Sequence, residues 1–214
     1  RASVMGATAT QLTVTVPVGA TYQPITVQVA GLTGYSAKPF VVTFAGGGNI
    51  SACSFAPQVD LYTIGSTETG VIGTLVDLDG DGKIDIVMGN NLGNYISVLK
   101  NISSPGSLGS SSFATRLDLA TGTPAGGTPA PGPVEVYHGD LDGDGKPDLA
   151  VTNYTNGYIS VFRNTSTLGT LSFASRVDFP SGSFVGGGEI YDIDGDGKLD
   201  IVFVPFFEGV AVLR

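Results

Sequence analysis

The sequence predicts an all-β fold built from a repeated unit. Three observations point there. Gly, Thr, Ser and Val dominate the 214 residues, with 32 glycines, the composition of short strands joined by many turns. No stretch of useful length carries a helical period. One Asp-rich stretch is written three times: "DLDGDGKIDIVM" from Asp77, "DLDGDGKPDLAV" from Asp140 and "DIDGDGKLDIVF" from Asp192.

Taken in chain order, residues 1–48 form a separate segment. "ATQLTVTVPVG", "QPITVQVAG" and "KPFVVTF" alternate apolar and polar residues between Pro and Gly turns, which predicts three strands. These strands resemble the second half of an IPT/TIG domain, an immunoglobulin-like sandwich common in bacterial surface proteins. A partial sandwich leaves strand edges open, so this segment is a candidate for docking or for strand donation.

Residues 49–214 divide into three repeats, at about 49–108, 109–168 and 169–214. Before each Asp stretch comes "FAPQVDL" (from Phe55), "FATRLDL" (from Phe113) or "FASRVDF" (from Phe173). After it comes "NYISVLKN", "GYISVFRN" or "GVAVLR". The connections, such as "SSPGSLGSSS" and "TGTPAGGTPAPGP", are loop-forming Gly, Ser, Thr and Pro clusters. "VEVYHGD" alternates into the Asp loop, "PDLAVTN" or "IDIVMGN" leaves it as an apolar β run, "YISVFRN" alternates again, and a fourth strand surrounds "SFASRVDF". About four strands per ~60 residues is the size of a propeller blade.

Numbered from its first residue, each Asp loop carries carboxylates at positions 1, 3, 5 and 9 and glycine at 4 and 6. Glycine lets the backbone curl tightly, and a tight curl turns alternate carboxylates inward. The lysine at position 7 would offer its backbone carbonyl while its side chain faces water. Carboxylates ~4–5 Å apart repel by roughly 1–4 kcal/mol per pair, depending on the local dielectric. A divalent cation reverses that sign. Oxygen ligands, several charges and a flexible loop favour Ca²⁺ over Mg²⁺ or a transition metal. An EF-hand is excluded beyond the first half of the loop, because position 12 is Met88, Val151 or Phe203 rather than Glu.

With these flanking strings, D-x-D-G-D-G-K-x-D-[IL]-x-V resembles the FG-GAP/VCBS repeat, whose members build β-propeller blades with Ca²⁺ in a loop between two blade strands. The resemblance implies three calcium sites. The first would use Asp77, Asp79, Asp81, the Lys83 carbonyl and Asp85. The second would use Asp140, Asp142, Asp144, the Lys146 carbonyl and Asp148, and the third Asp192, Asp194, Asp196, the Lys198 carbonyl and Asp200. Two departures stand out. The literal Phe-Gly…Gly-Ala-Pro string is absent, and three repeats are fewer than the seven or so blades that usually close such a ring. The fold class expected is therefore all-β: three four-stranded propeller-like blades with calcium-binding loops, preceded by a partial immunoglobulin-like segment.

The net charge of −9 argues against nucleic acid, which calls for a basic stripe. No run is long enough to span a bilayer. One cysteine, Cys53, excludes a disulfide framework within the chain and reads as a small packing residue. The single histidine, His138, aligns with Leu75 and Ile190 and reads as a packed strand residue. Glu68, Glu135, Glu189 and Glu208 show no spacing that suggests a glycosidase pair. No enzymatic activity is expected. Sequons stand at Asn49, Asn101, Asn153 and Asn164; they are either neutral or mark glycans. Tyr95, Tyr154 and Tyr158 are either sugar-stacking or packed. Without an initiator Met, the chain is expected to be a processed protein or a fragment, or else a subunit completed by its neighbours through unpaired β edges. The functional expectation is a calcium-stabilised extracellular structural or adhesive protein of a surface filament or similar assembly. The alternative is a carbohydrate- or protein-binding propeller module.

Overall fold

In a computed structural model the described residues are 3–8, 11–15, 23–29, 32–40, 57–60, 70–122, 132–154, 157–182, 184–206 and 209–214. All their regular structure is β, and among them no helix is long and apolar enough to cross a membrane. The chain forms two compact units, residues 1–59 with 104–107, and residues 60–103 with 108–214.

The first unit holds two antiparallel ribbons. β1 (Ser3–Ala7) pairs with β2 (Leu12–Thr15), and β3 (Gln23–Val29) pairs with β4 (Leu32–Phe40). The β1–β2 turn is closed by Thr8, whose hydroxyl accepts the Gln11 amide at 3.0 Å. Two of the expected strands fall on β2 and β3. β1 is additional. β4 begins well before "KPFVVTF", because Leu32 to Tyr35 pair with β3 along the backbone although Gly34 interrupts their alternation. Residues 41–44 of that expected strand, and Cys53, Asn49 and Glu68, lie outside the described residues.

The second unit is a series of meanders. β5 (Gly70–Val76), β6 (Asp85–Asn90), β7 (Tyr95–Leu99) and β8 (Leu117–Ala120) form the first sheet in that order. β9 (Pro133–Gly139), β10 (Asp148–Asn153), β11 (Tyr158–Phe162) and β12 (Val177–Pro180) form the second. β13 (Val185–Tyr191), β14 (Asp200–Pro205) and β15 (Ala211–Leu213) form the third. Among the described residues the third sheet therefore has three strands where four were expected, because the "FASRVDF" strand, β12, belongs to the second sheet.

Each Asp loop joins the first and second strands of its sheet, as the resemblance implied. The "FATRLDL" and "FASRVDF" strings behave differently from a simple repeat. Their strands, β8 and β12, close the sheet of the preceding loop by pairing with β7 and β11. The aspartate in each string faces a serine across the ladder. Asp118 accepts from Ser97 Oγ and Asp178 from Ser160 Oγ, both at 2.8 Å. Both serines are buried, so these carboxylates satisfy core hydroxyls and are not metal ligands.

The sheets pack in sequence. Val76, Leu78, Val87, Ile96 and Val98 of the first meet Val136, Leu149, Val151 and Phe162 of the second. Ala150 and Ile159 of the second meet Val185, Ile201 and Phe203 of the third. Burying each large aliphatic or aromatic side chain contributes about 1.5–3 kcal/mol, so these two layers hold the unit together. The first strands β5, β9 and β13 lie side by side. Gly73 and Gly188 allow their strands to approach the second strand of the same sheet closely: a Cβ on Gly73 would sit 1.4 Å from the Val87 carbonyl oxygen of β6, and one on Gly188 2.5 Å from that of Val202 in β14.

Candidate metal centres

The glycines at positions 4 and 6 adopt the left-handed backbone that the curl requires. Gly80 and Gly82 have φ of 73° and 87°, and the glycines of the other loops follow within a few degrees. Amides so exposed turn toward the carboxylates. Asp77 accepts the Gly80 and Gly82 amides at 2.9 Å. Asp192 accepts those of Gly195 and Gly197 at 2.7 and 2.9 Å, and Asp140 that of Gly145 at 2.9 Å. Position 3 accepts the amide of position 5, in Asp79, Asp142 and Asp194 alike. Position 5 accepts the amide of the position-7 lysine, in Asp81, Asp144 and Asp196.

Position 9 is the buried member. Asp85, Asp148 and Asp200 are 0%, 1% and 4% exposed. Each opens the second strand of its sheet and reaches back to the amide of position 2: Leu78, Leu141 or Ile193, at 3.0 Å. Asp85 and Asp148 also accept the amides of Asn101 and Asn164 at 2.8 and 2.7 Å. Burial pushes the Asp85 and Asp148 carboxyls above the ordinary carboxylate range, against the pull of those amides, and neighbouring aspartates add to the rise.

In every loop one carboxylate oxygen each from positions 1, 3 and 9 falls within 4.8 Å of the others: Asp77, Asp79 and Asp85; Asp140, Asp142 and Asp148; Asp192, Asp194 and Asp200. These three clusters can hold a metal ion. The donors are all oxygen, which suits a hard cation. Asp140, a member of the second cluster, has a buried Oδ1 with no hydrogen-bond partner, an acceptor that a cation would satisfy. Position 5 stands outside the three-carboxylate group.

Sequence reasoning missed one recurring residue. Directly after β7, β11 and β15 comes a cation: Lys100, Arg163 and Arg214. Lys100 bonds Asp79 and lies 3.8 Å from Asp81. Arg163 bonds Asp142 and, at 3.1 Å, Asp144. Arg214 bonds Asp194. The strings "VLKN", "VFRN" and "VLR" carried the signal, and with the position-7 lysines these residues make six of the ten basic side chains in the chain.

Two sequons prove to be structural. Asn164 is fully buried; its Nδ2 donates to the Leu78 carbonyl of the first loop at 2.8 Å and to the Pro147 carbonyl of the second at 2.9 Å. Asn153 is equally buried, and its Nδ2 donates to Ser160 Oγ at 3.1 Å. Neither amide is open to a glycan in the folded chain. Asn101 Nδ2 donates to the Ile84 carbonyl. Asn164→Ala strips a bridge between two loops and leaves buried carbonyls unpaired, at about 1–3 kcal/mol for each orphaned group. Urea unfolding should show that loss, and a smaller one for Asn101→Ala, whose amide donates within its own loop.

Elsewhere the second unit has a cleft of about 370 Å³ lined by β5, β9 and β13, with Thr74, Glu135, Tyr137, His138 and Glu189 on its walls. His138 Nδ1 and Thr74 Oγ1 share a 2.6 Å hydrogen bond. Tyr137 donates to Glu135 and accepts the Gly188 amide at 2.6 Å. Burial, then the nearby Glu189, raises the Glu135 carboxyl above its ordinary range. The three tyrosines are packed: Tyr95 beneath Arg116 at 5.4 Å, Tyr154 edge-on to Phe184 and Phe206, and Tyr158 donating to the Thr121 carbonyl at 3.0 Å.

No curated protein and no solved structure matches the chain. A family model does: residues 140–203, from the first aspartate of the second loop to Phe203 of β14, match the FG-GAP-like repeat.

Proposed function

We propose that the protein is a non-catalytic, calcium-stabilised extracellular structural or adhesive protein, a subunit or segment of a cell-surface filament or similar assembly. The observation that carries this is the threefold recurrence of an all-oxygen carboxylate cluster at the same place in three consecutive sheets. Each sheet then acts as a propeller-like blade, and each Ca²⁺ ties the turn between its first two strands. Positions 5 and 7 complete the ligand set in this reading. Three ions would bring the formal charge from −9 to −3, which eases close approach of like subunits.

Association is supported by one face of the third sheet. Ile96 and Ile159 are fully buried between sheets, whereas Val210 in the same place is 71% exposed, with Val204 and Val212 beside it at 46% and 38%. An apolar face of this kind marks a contact surface. The first 48 residues, with their short ribbons, would serve as docking or donated strands.

Sedimentation velocity in millimolar calcium and then in EGTA tests the assignment. Large particles that disperse on chelation are expected. A monomer under both conditions would leave the rival role, a carbohydrate- or protein-binding module. The cleft beside Glu135 and Tyr137 favours that rival, because its carboxylates and hydroxyl are suited to polar ligands. Selective binding by monomers on a glycan array would then establish it.

A further inference from the structure

We propose that Lys100, Arg163 and Arg214 are counter-ions built into the repeat, which hold the position-3 carboxylate in the calcium-free chain and compete with the metal for it, so setting the calcium affinity of each loop. This presupposes the calcium role proposed above and goes beyond it, since the cation belongs to no ligand set.

The placement is the same three times. The residue follows the last core position of the third strand, Leu99, Phe162 or Leu213, and reaches back to its own sheet's loop. Position 3 thereby has both oxygens engaged: in Asp142, Oδ1 accepts the Asp144 amide while Oδ2 faces Arg163. The charges also balance. Four aspartates, the position-7 lysine and this cation leave each loop at −2, the charge one Ca²⁺ cancels. A divalent ion among the carboxylates repels the nearby side chain, which must give up the shared oxygen or weaken the ion's hold.

The three cations are held unequally. Lys100 is 17% exposed and also donates to the Gly169 carbonyl of the second sheet's hairpin. Arg163 is 54% exposed and spans two carboxylates, while Arg214 is 68% exposed and reaches one. Displacement is therefore hardest at the first loop, whose cation has the most partners.

The test is Arg163→Gln, chosen because this half-exposed side chain lies outside the core. Titration calorimetry with CaCl₂ should show one of the three sites tightening about tenfold, while the Tm in EGTA falls. Arg163→Lys should keep both close to the parent. Lys100→Gln should repeat the effect at the first loop. Unchanged or weaker binding in both glutamine variants overturns the counter-ion role while leaving the calcium role intact. A parent protein that takes up no calcium overturns the calcium role, and the counter-ion role with it.

Discussion

Asp148→Ala should abolish the calcium uptake proposed for the second loop and cost about 3 kcal/mol or more in stability measured in calcium, since it orphans two buried amides at about 1–3 kcal/mol each. Those amides belong to Leu141 and Asn164. The first sits inside the Asp loop and the second lies just past the end of β11, so one carboxylate pins the loop to the end of the neighbouring strand. With total stability of a domain at only about 5–15 kcal/mol, the loss is a large share. Asp148→Asn separates the two contributions. Its amide oxygen can still accept one N–H, but the charge a cation needs is gone, so it should lose calcium binding with a smaller cost in EGTA. Asp144→Ala is the contrast, because this carboxylate is exposed and its loop amide faces water. It should weaken the site and loosen the sheet in calcium while leaving calcium-free stability nearly unchanged. Urea midpoints with and without calcium decide all three. An Asp148→Ala variant as stable as Asp144→Ala would show that position 9 does not anchor the loop.

The contrast between positions 5 and 9 was not legible in the sequence, where all four aspartates look alike. The loops themselves were legible, because three copies with matching glycines leave little room for coincidence. So were the strands on either side of them, whose apolar runs recur with the loops. What failed to show is what depends on partners distant in the chain. β8 joins β7 rather than a strand of its own repeat because Ile96 meets Leu119 and Val98 meets Leu117 across the ladder, and repeat phase carries no information about that choice. Asn164 reads as a sequon, yet its amide is spent on a carbonyl 86 residues away. Lys100 and Arg163 sit 23 residues after the first aspartate of their loops, and only the meander brings them back. In the first unit, β1 escaped notice because Gly6 breaks the alternation of "SVMGA", while its pairing with β2 rests on backbone bonds that tolerate the break.

Calcium should stabilise the protein more at pH 7 than at pH 4.5, and the cause lies in the same buried carboxylates. Without metal, burial raises the Asp85 and Asp148 carboxyls above their unfolded values. The native chain then binds those protons more tightly than the unfolded chain does. Calcium-free stability contributed by these groups is fully present below about pH 4, the ordinary carboxylate value, and is lost as pH rises through the raised native values. Calcium needs the ionised form, so its binding strengthens over the same interval and offsets the charge that the fold otherwise leaves exposed to its neighbours. Asp142 works in the opposite sense, since Arg163 lowers its carboxyl, but it is solvent-facing and screened, so its share is small. The difference in Tm between millimolar calcium and EGTA should therefore widen steadily from pH 4.5 to 7, with most of the change coming from the EGTA curve falling. A difference that stays constant across this range would mean that the ion does not meet Asp85 and Asp148. The position-9 carboxylates would then be purely structural anchors for the loop amides, and the metal would rest on positions 1, 3 and 5 alone.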